Sequence, residues 1–266
     1  MTDAAISRHQ ARAWLSTAAL SRLVCGLVLL LSWEIAVRAF APAYVAKPSG
    51  VLAAIPRVIV DPAFLQATGI TLAAVAEGLA IALAAGIPLG LAMGRSLIVD
   101  RSLRHYVNGF YAVPMIVVLP LVSLWFGYSG AARLATIVFA AVFSIIINVA
   151  DGARSVPKDY LEVASSFRSR RLRAMVDIVL PSATPYLLAG LRLAAGRALI
   201  GAVVAEFFTA IGGLGYFILY NSRTYKHDEA FVGVLLLAAF GVGFELFVAT
   251  STRRFLPWYR RDEHAN

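Results

Sequence analysis

Charge is scarce in this chain. Only 15% of its 266 residues are charged, against about a quarter in an ordinary soluble domain. That is too thin a polar coat for a soluble fold of this length. Cysteine is almost missing: Cys25 stands alone, which excludes an internal disulfide and a cysteine-built zinc site. Lysine is rare as well. Lys47, Lys158 and Lys226 follow Ala46, Pro157 and Tyr225, so none sits in the Gly-Lys-Ser/Thr of a phosphate-binding loop. The histidines His9, His105, His227 and His264 form no His-Glu-x-x-His pair. No catalytic, cofactor-binding or metal-ligating constellation emerges, and the chain is not expected to be an enzyme.

Apolar residues fill the space that charge leaves. They make up 60% of the chain, and its mean hydropathy is +0.76. So much apolar surface excludes disorder and points to the bilayer as solvent. Runs of about 20 apolar residues, the length that crosses roughly 30 Å of hydrocarbon, predict six transmembrane helices over residues 18–40, 70–93, 107–128, 131–150, 184–208 and 230–251. The expected class is therefore all-α and polytopic. A tail over 1–17, a transmembrane domain over 18–253 with a polar loop at 151–183, and a tail over 254–266 complete the layout. Arg22, the apolar stretch after it and Ala41-Pro42-Ala43 loosely mimic a cleavable signal. The segment is read instead as a retained anchor, because removing it would leave five spans.

Net charge is +9, and the placement of the basic residues gives the orientation. With the N-terminus inside, sixteen Lys and Arg fall in inner segments, among them Arg8, Arg12, Arg95, Arg101, Arg104, Arg154, Lys158, Arg168 and Arg170. Six fall outside: Arg38, Lys47, Arg57, Arg133, Arg223 and Lys226. This asymmetry sets both termini in the cytoplasm. It also disfavours nucleic acid as a partner, since a nucleic-acid interface gathers its basic residues on one face.

Two patterns lie inside the spans. Gly78, Ala82, Gly86, Gly90 and Gly94 recur at every fourth position, a small-residue face that lets helices approach closely. Glu77, Arg192, Arg197 and Glu206 are charges at membrane depth, where each costs at least about 2.5 kcal/mol at the bilayer centre. Arg192, Arg197 and Glu206 are spaced so that they cannot pair with one another along one helix. Their partners belong on other helices, in water or in a solute. A structural ion pair, for instance between Glu77 and an arginine, and a place on a solute pathway both fit.

The inner loop predicts a short amphipathic helix over about 158–167. Pro157 stands at its opening, and Tyr160, Leu161, Ala164 and Phe167 recur at helical spacing. Such a helix could lie on anionic lipid or dock a partner. Within it, Glu162-Val163-Ala164 is followed after three residues by Arg168, and nine residues later by Ile178, then Leu180-Pro181.

This spacing resembles the loop motif of the inner-membrane permeases of ATP-binding-cassette importers: Glu-Ala-Ala, three residues, Gly, nine residues, Ile, one residue, Leu-Pro. Val163 replaces an alanine and Arg168 replaces the glycine. Further segments are similar to the nitrate, sulfonate and taurine subgroup: Tyr44-Val45-Ala46-Lys47-Pro48-Ser49, the stretch from Gly86 to Gly94, Pro114 through Gly127, Asn148 with Gly152, Ala189 through Glu206, and Gly212-Gly213-Leu214-Gly215.

The resemblance implies a type I importer permease in a bacterial inner membrane, without cofactor. Its partners would be a second permease chain (a homodimer), two cytoplasmic ATPase subunits, an extracytoplasmic substrate-binding protein and membrane lipid. Glu162 to Phe167 would be the coupling helix, with Leu161 and Phe167 as apolar anchors and Glu162 as a charged or capping contact. Arg168 would have to make the glycine turn at a cost. Asn148, Arg192 and Arg197 would join Glu77 and Glu206 as pathway candidates, and the cargo would be a small anion such as sulfonate, taurine or nitrate. An ion-coupled secondary carrier, a membrane anchor for an enzyme complex and an integral membrane enzyme are the alternatives from other classes.

Overall fold

A computed structural model describes residues 3–42, 44–209 and 211–255, with the side chains of 3–19, 171, 252, 253 and 255 left aside. Every regular element among the described residues is a helix. Most of the expected tail over 254–266 lies outside them, and the expected 1–17 tail enters only as backbone, since α1 runs Asp3–Phe40.

Five helices are long and apolar enough to span a membrane: Leu20–Phe40, Pro62–Arg95, Gly130–Arg154, Leu172–Thr209 and His227–Ser251. The third expected span, 107–128, is not one straight helix. It is a pair, α4 (Leu97–Ala112) and α5 (Met115–Phe126), bent by 103°. The cause is local. Pro114 lacks an N–H and forces the residue before it into an extended conformation, and Val113 sits at φ −67°, ψ 127°. Counting the bent pair as one span gives six.

Two compact units divide the chain. The first comprises residues 1–60 and 220–232. Here α1 is followed by α2 (Pro48–Val58), with Pro48 in its first turn. Glu34 of α1 accepts from the backbone amide and the hydroxyl of Ser49 at 3.0 and 2.7 Å. Arg57 lies 3.8 Å from Glu229, and Asp228 accepts from the Lys47 amide at 3.4 Å.

The second unit comprises residues 61–219 and 233–266. Its core lies between α3 (Pro62–Arg95), α6 (Gly130–Arg154) and α9 (Leu180–Thr209). Ala74, Leu79, Ala82, Ile137, Ile145, Val149, Ala194, Ala198 and Ala202 form its buried centre. The small-residue face of α3 is what brings α6 close. A Cβ on Gly90 would stand 2.8 Å from the Ile146 carbonyl oxygen, and one on Gly94 2.6 Å from that of Ala150. A Cβ on Gly86 would meet Ile145 at 2.9 Å, and one on Gly78 would collide with Ile137. Ala82 is fully buried. Backbones this close are held by dispersion.

The expected loop over 151–183 is largely helical. Residues 151–154 complete α6. After the link at 155–157 come α7 (Lys158–Ser166), α8 (Arg171–Ala174) and a π-helical turn, Met175–Val179, that leads into α9. Then follow α10 (Leu214–Arg223) and α11 (His227–Phe255).

Candidate functional site

Two regions gather the candidate residues: the inner loop, and the charges within the helices.

The loop helix α7 is short and has no buried residue. It ends in a Schellman arrangement. The Arg168 amide donates to the Ser165 carbonyl at 2.9 Å and the Ser169 amide to the Ala164 carbonyl at 3.0 Å, which satisfies two carbonyls that a helix end leaves unpaired. Such a cap needs a left-handed residue, and Arg168 supplies it at φ 53°. The motif's turn is thus present although its glycine is not. Phe167 is 84% exposed, Val163 also faces outward, and Glu162 and Pro181 are exposed. Ala164 is half-buried.

Leu161 is half-buried and packs with Ile178 against Ala153, Val156 and Val179, because the apolar stripe of α7 turns towards its own chain. Pro157 holds the N-cap position and Asp159 is the acid of the first turn. Leu180 is half-buried at the start of α9. Behind α7 lies a cavity of about 410 Å³ bordered by Arg95, Ser165, Ser169 and Met175. Beside the loop, Asp100 accepts from Arg104 and, at 3.0 Å, from Arg154, whose other nitrogen reaches Asp151 at 2.8 Å. This network ties the start of α4 to the end of α6.

The membrane charges have separate fates. Glu206 is fully buried. The Thr71 hydroxyl donates to it at 2.8 Å and the Gly215 amide at 2.8 Å, while Arg133 Nη1 lies 3.5 Å away and donates to the Gly212 carbonyl at 3.1 Å. Thr71 also accepts from the Leu214 amide at 2.8 Å. The unpaired N–H groups at the start of α10 are thus met by residues from α3 and α9, and a carboxylate there suits the positive end of the helix. Arg192 stands 3.7 Å from Glu245 of α11. Glu77 is exposed on α3 and makes no ion pair among the described residues, so the pairing of Glu77 with an arginine is not found. The Asn148 amide donates to the Ser144 carbonyl at 2.8 Å, and its side chain abuts Gly190, where a Cβ would come within 2.8 Å. It sits in a helix contact.

Arg197 is different. Its guanidinium carbon lies 3.7 Å from the centroid of the Tyr111 ring, and Nη1 donates to the Tyr111 carbonyl at 3.3 Å. Among the described residues no carboxylate comes within ion-pair distance of it. It borders a cavity of about 340 Å³ at the bend between α4 and α5, lined also by Phe110, Met115, Phe139 and Phe143.

Thr71, Arg133 and Tyr111 are absent from the sequence-based candidates. Arg133 carried a signal, as the lone charge between two uncharged runs, but it reads equally as an outer loop residue. Thr71 and Tyr111 carried none.

A family profile described as "Binding-protein-dependent transport system inner membrane component" matches residues 86–261. The chain belongs to this family of membrane transport permeases. It is 29% identical over 236 residues to the formylaminopyrimidine transport permease protein ThiX of Halalkalibacterium halodurans, covering 88% of this chain and 94% of that one. It is 32% identical to the putative aliphatic sulfonates transport permease protein SsuC of Bacillus subtilis, covering 68% and 64%. Against the taurine transport system permease protein TauC of Escherichia coli the identity is 27%, covering 88% and 87%. Its fold is similar to a chain of the MetNI methionine ABC transporter, with TM-score 0.64 and 17% identity over 72% of this chain and 95% of that one.

Proposed function

We propose that this chain is the permease subunit of an ATP-driven importer of small anions. Two copies form the path, two ATPase subunits dock from the cytoplasm, and a binding protein delivers the solute from outside. Both termini lie in the cytoplasm of a bacterial cell, with the chain in the inner membrane. The observation that carries this reading is α7. It is an exposed helix with the motif's spacing, closed by the motif's left-handed turn, and it presents Val163 and Phe167 away from its own chain. A free helix end bearing an exposed aromatic suits insertion into a partner's cleft. Glu162 lies on that exposed side.

The relatives' named cargoes, sulfonates, taurine and formylaminopyrimidine, support a small polar solute. Intramembrane arginines fit an anionic one. Co-purification from native membranes in mild detergent, wild type beside Glu162→Lys, tests the reading. A nucleotide-binding ATPase is expected with the wild type and less of it with the variant. If the chain transports solute in proteoliposomes without ATP or partners, the ion-coupled carrier replaces this reading.

A further inference from the structure

Arg197 sits in the middle of a membrane helix, and among the described residues no acid lies within ion-pair distance of it. Arg192 is matched by Glu245, and Arg133, in the first turn of α6, by Glu206. An ionised group at this depth is normally paired or faces water. The Tyr111 ring covers one face of the guanidinium and the Tyr111 carbonyl takes one donor. That orients the group and leaves further N–H donors for an anion. The backbone beside it is broken at Val113 and Pro114. Non-helical backbone at membrane depth is tolerated where it lines a water-filled cavity or is packed in protein, and these residues do line the cavity of about 340 Å³.

The other walls decide what kind of anion fits. Phe110 stacks on Phe143 with centroids 5.8 Å apart, and Phe139 meets Phe143 edge-on at 5.1 Å. Arg197 is the one charged residue in the lining. A small hydrated oxyanion would exchange its water for a single cation and ring faces whose quadrupole repels negative charge. An organic anion gains on both sides, because its head meets the guanidinium while its body covers the rings.

We propose that this cavity is a solute subsite selecting an organic anion with an apolar or aromatic body, Arg197 taking the anionic head and Phe110, Phe139 and Phe143 the body. The inference rests on the permease reading and narrows its cargo: sulfonates whose body is purely hydrocarbon are favoured over nitrate, which has no body to cover the rings, and over zwitterionic taurine, whose ammonium would lose its water against the apolar walls.

The test uses the full chain with its co-purified partners in lipid nanodiscs, titrated calorimetrically with benzenesulfonate, nitrate and taurine, beside ATP-dependent uptake by the same complex in proteoliposomes. Benzenesulfonate is expected to bind, with nitrate and taurine at least about tenfold weaker. Arg197→Gln should weaken benzenesulfonate by about tenfold or more, the loss of one charge-assisted hydrogen bond. Phe143→Ala should weaken it as well while keeping the charge, and Arg197→Lys should fall between wild type and Arg197→Gln. No binding of benzenesulfonate by wild type, binding indifferent to both Arg197→Gln and Phe143→Ala, or nitrate binding as tightly, overturns the proposal. Loss in Glu77→Gln equal to that in Arg197→Gln, with recovery in the charge-swapped double variant, would assign the guanidinium to Glu77 of a second copy and overturn it too. A preparation without an ATPase overturns the permease reading instead, and the same titration still decides the subsite.

Discussion

Replacing Arg168 with glycine isolates the cost of the turn after α7. At φ 53° a side chain crowds the following carbonyl, which costs an L-residue about 1–2 kcal/mol. Glycine pays no such penalty, although its freer unfolded chain returns part of the gain. The two bonds of the turn, Arg168 N–H to Ser165 and Ser169 N–H to Ala164, are main-chain bonds and survive the change. Arg168 is exposed, so little packing is lost. The net gain is about 1 kcal/mol, which makes local opening roughly fivefold rarer. Hydrogen exchange on the purified chain in nanodiscs, followed in peptides containing Ser169, should slow by about that factor in Arg168→Gly. Arg168→Ala keeps a Cβ and should leave exchange near the wild-type rate. Equal exchange in the glycine and alanine variants, or faster exchange with glycine, would refute the claim that the turn is strained.

Other outcomes follow from the packing. Gly90→Ala should cost about 1–3 kcal/mol, because the new methyl meets the Ile146 carbonyl and Val149 at 2.8 Å. Gly196→Ala, inside α9 with nothing within 4 Å, should raise the thermal midpoint in detergent slightly, by about 0.4–1 kcal/mol of stability. Thr71→Val removes the hydroxyl shared by Glu206 and the Leu214 amide and should cost about 1–3 kcal/mol, read as faster exchange at the start of α10. Leu161→Ala should lower the thermal midpoint, since Leu161 packs into the core beneath α7, whereas Phe167→Ala should spare the midpoint and weaken ATPase association.

The spans were legible because a run of about 20 apolar residues is hard to satisfy anywhere but in a bilayer. The bend was not, since prolines at 56, 88, 120 and 185 lie inside continuing helices, whereas the chain breaks at Pro114. Its position next to an extended Val113 is a tertiary outcome. The need of Glu206 for partners could be read from its depth, but their identity could not. Thr71 lies 135 residues away in sequence, and no local pattern links the two. The loop shows a similar limit. The resemblance pointed to a turn at Arg168, and a left-handed residue stands there. Periodicity marked the apolar stripe of α7, yet the same stripe serves a helix that packs on its own chain or one that docks a partner. Leu161 does the former, and Phe167 is left exposed.

Coupling through α7 is the centre of the account, and proximity tests it most directly. Cys25 is the chain's single cysteine, so Phe167→Cys in a Cys25→Ser background carries one reactive site, and Tyr128→Cys, exposed in the link between α5 and α6, serves as the control. With a short cysteine-directed photo-crosslinker in native membranes, position 167 should yield an adduct of this chain with a nucleotide-binding ATPase, and position 128 should not. An ATPase adduct equally strong at both positions, or absent at 167 while the complex is intact, would contradict the account.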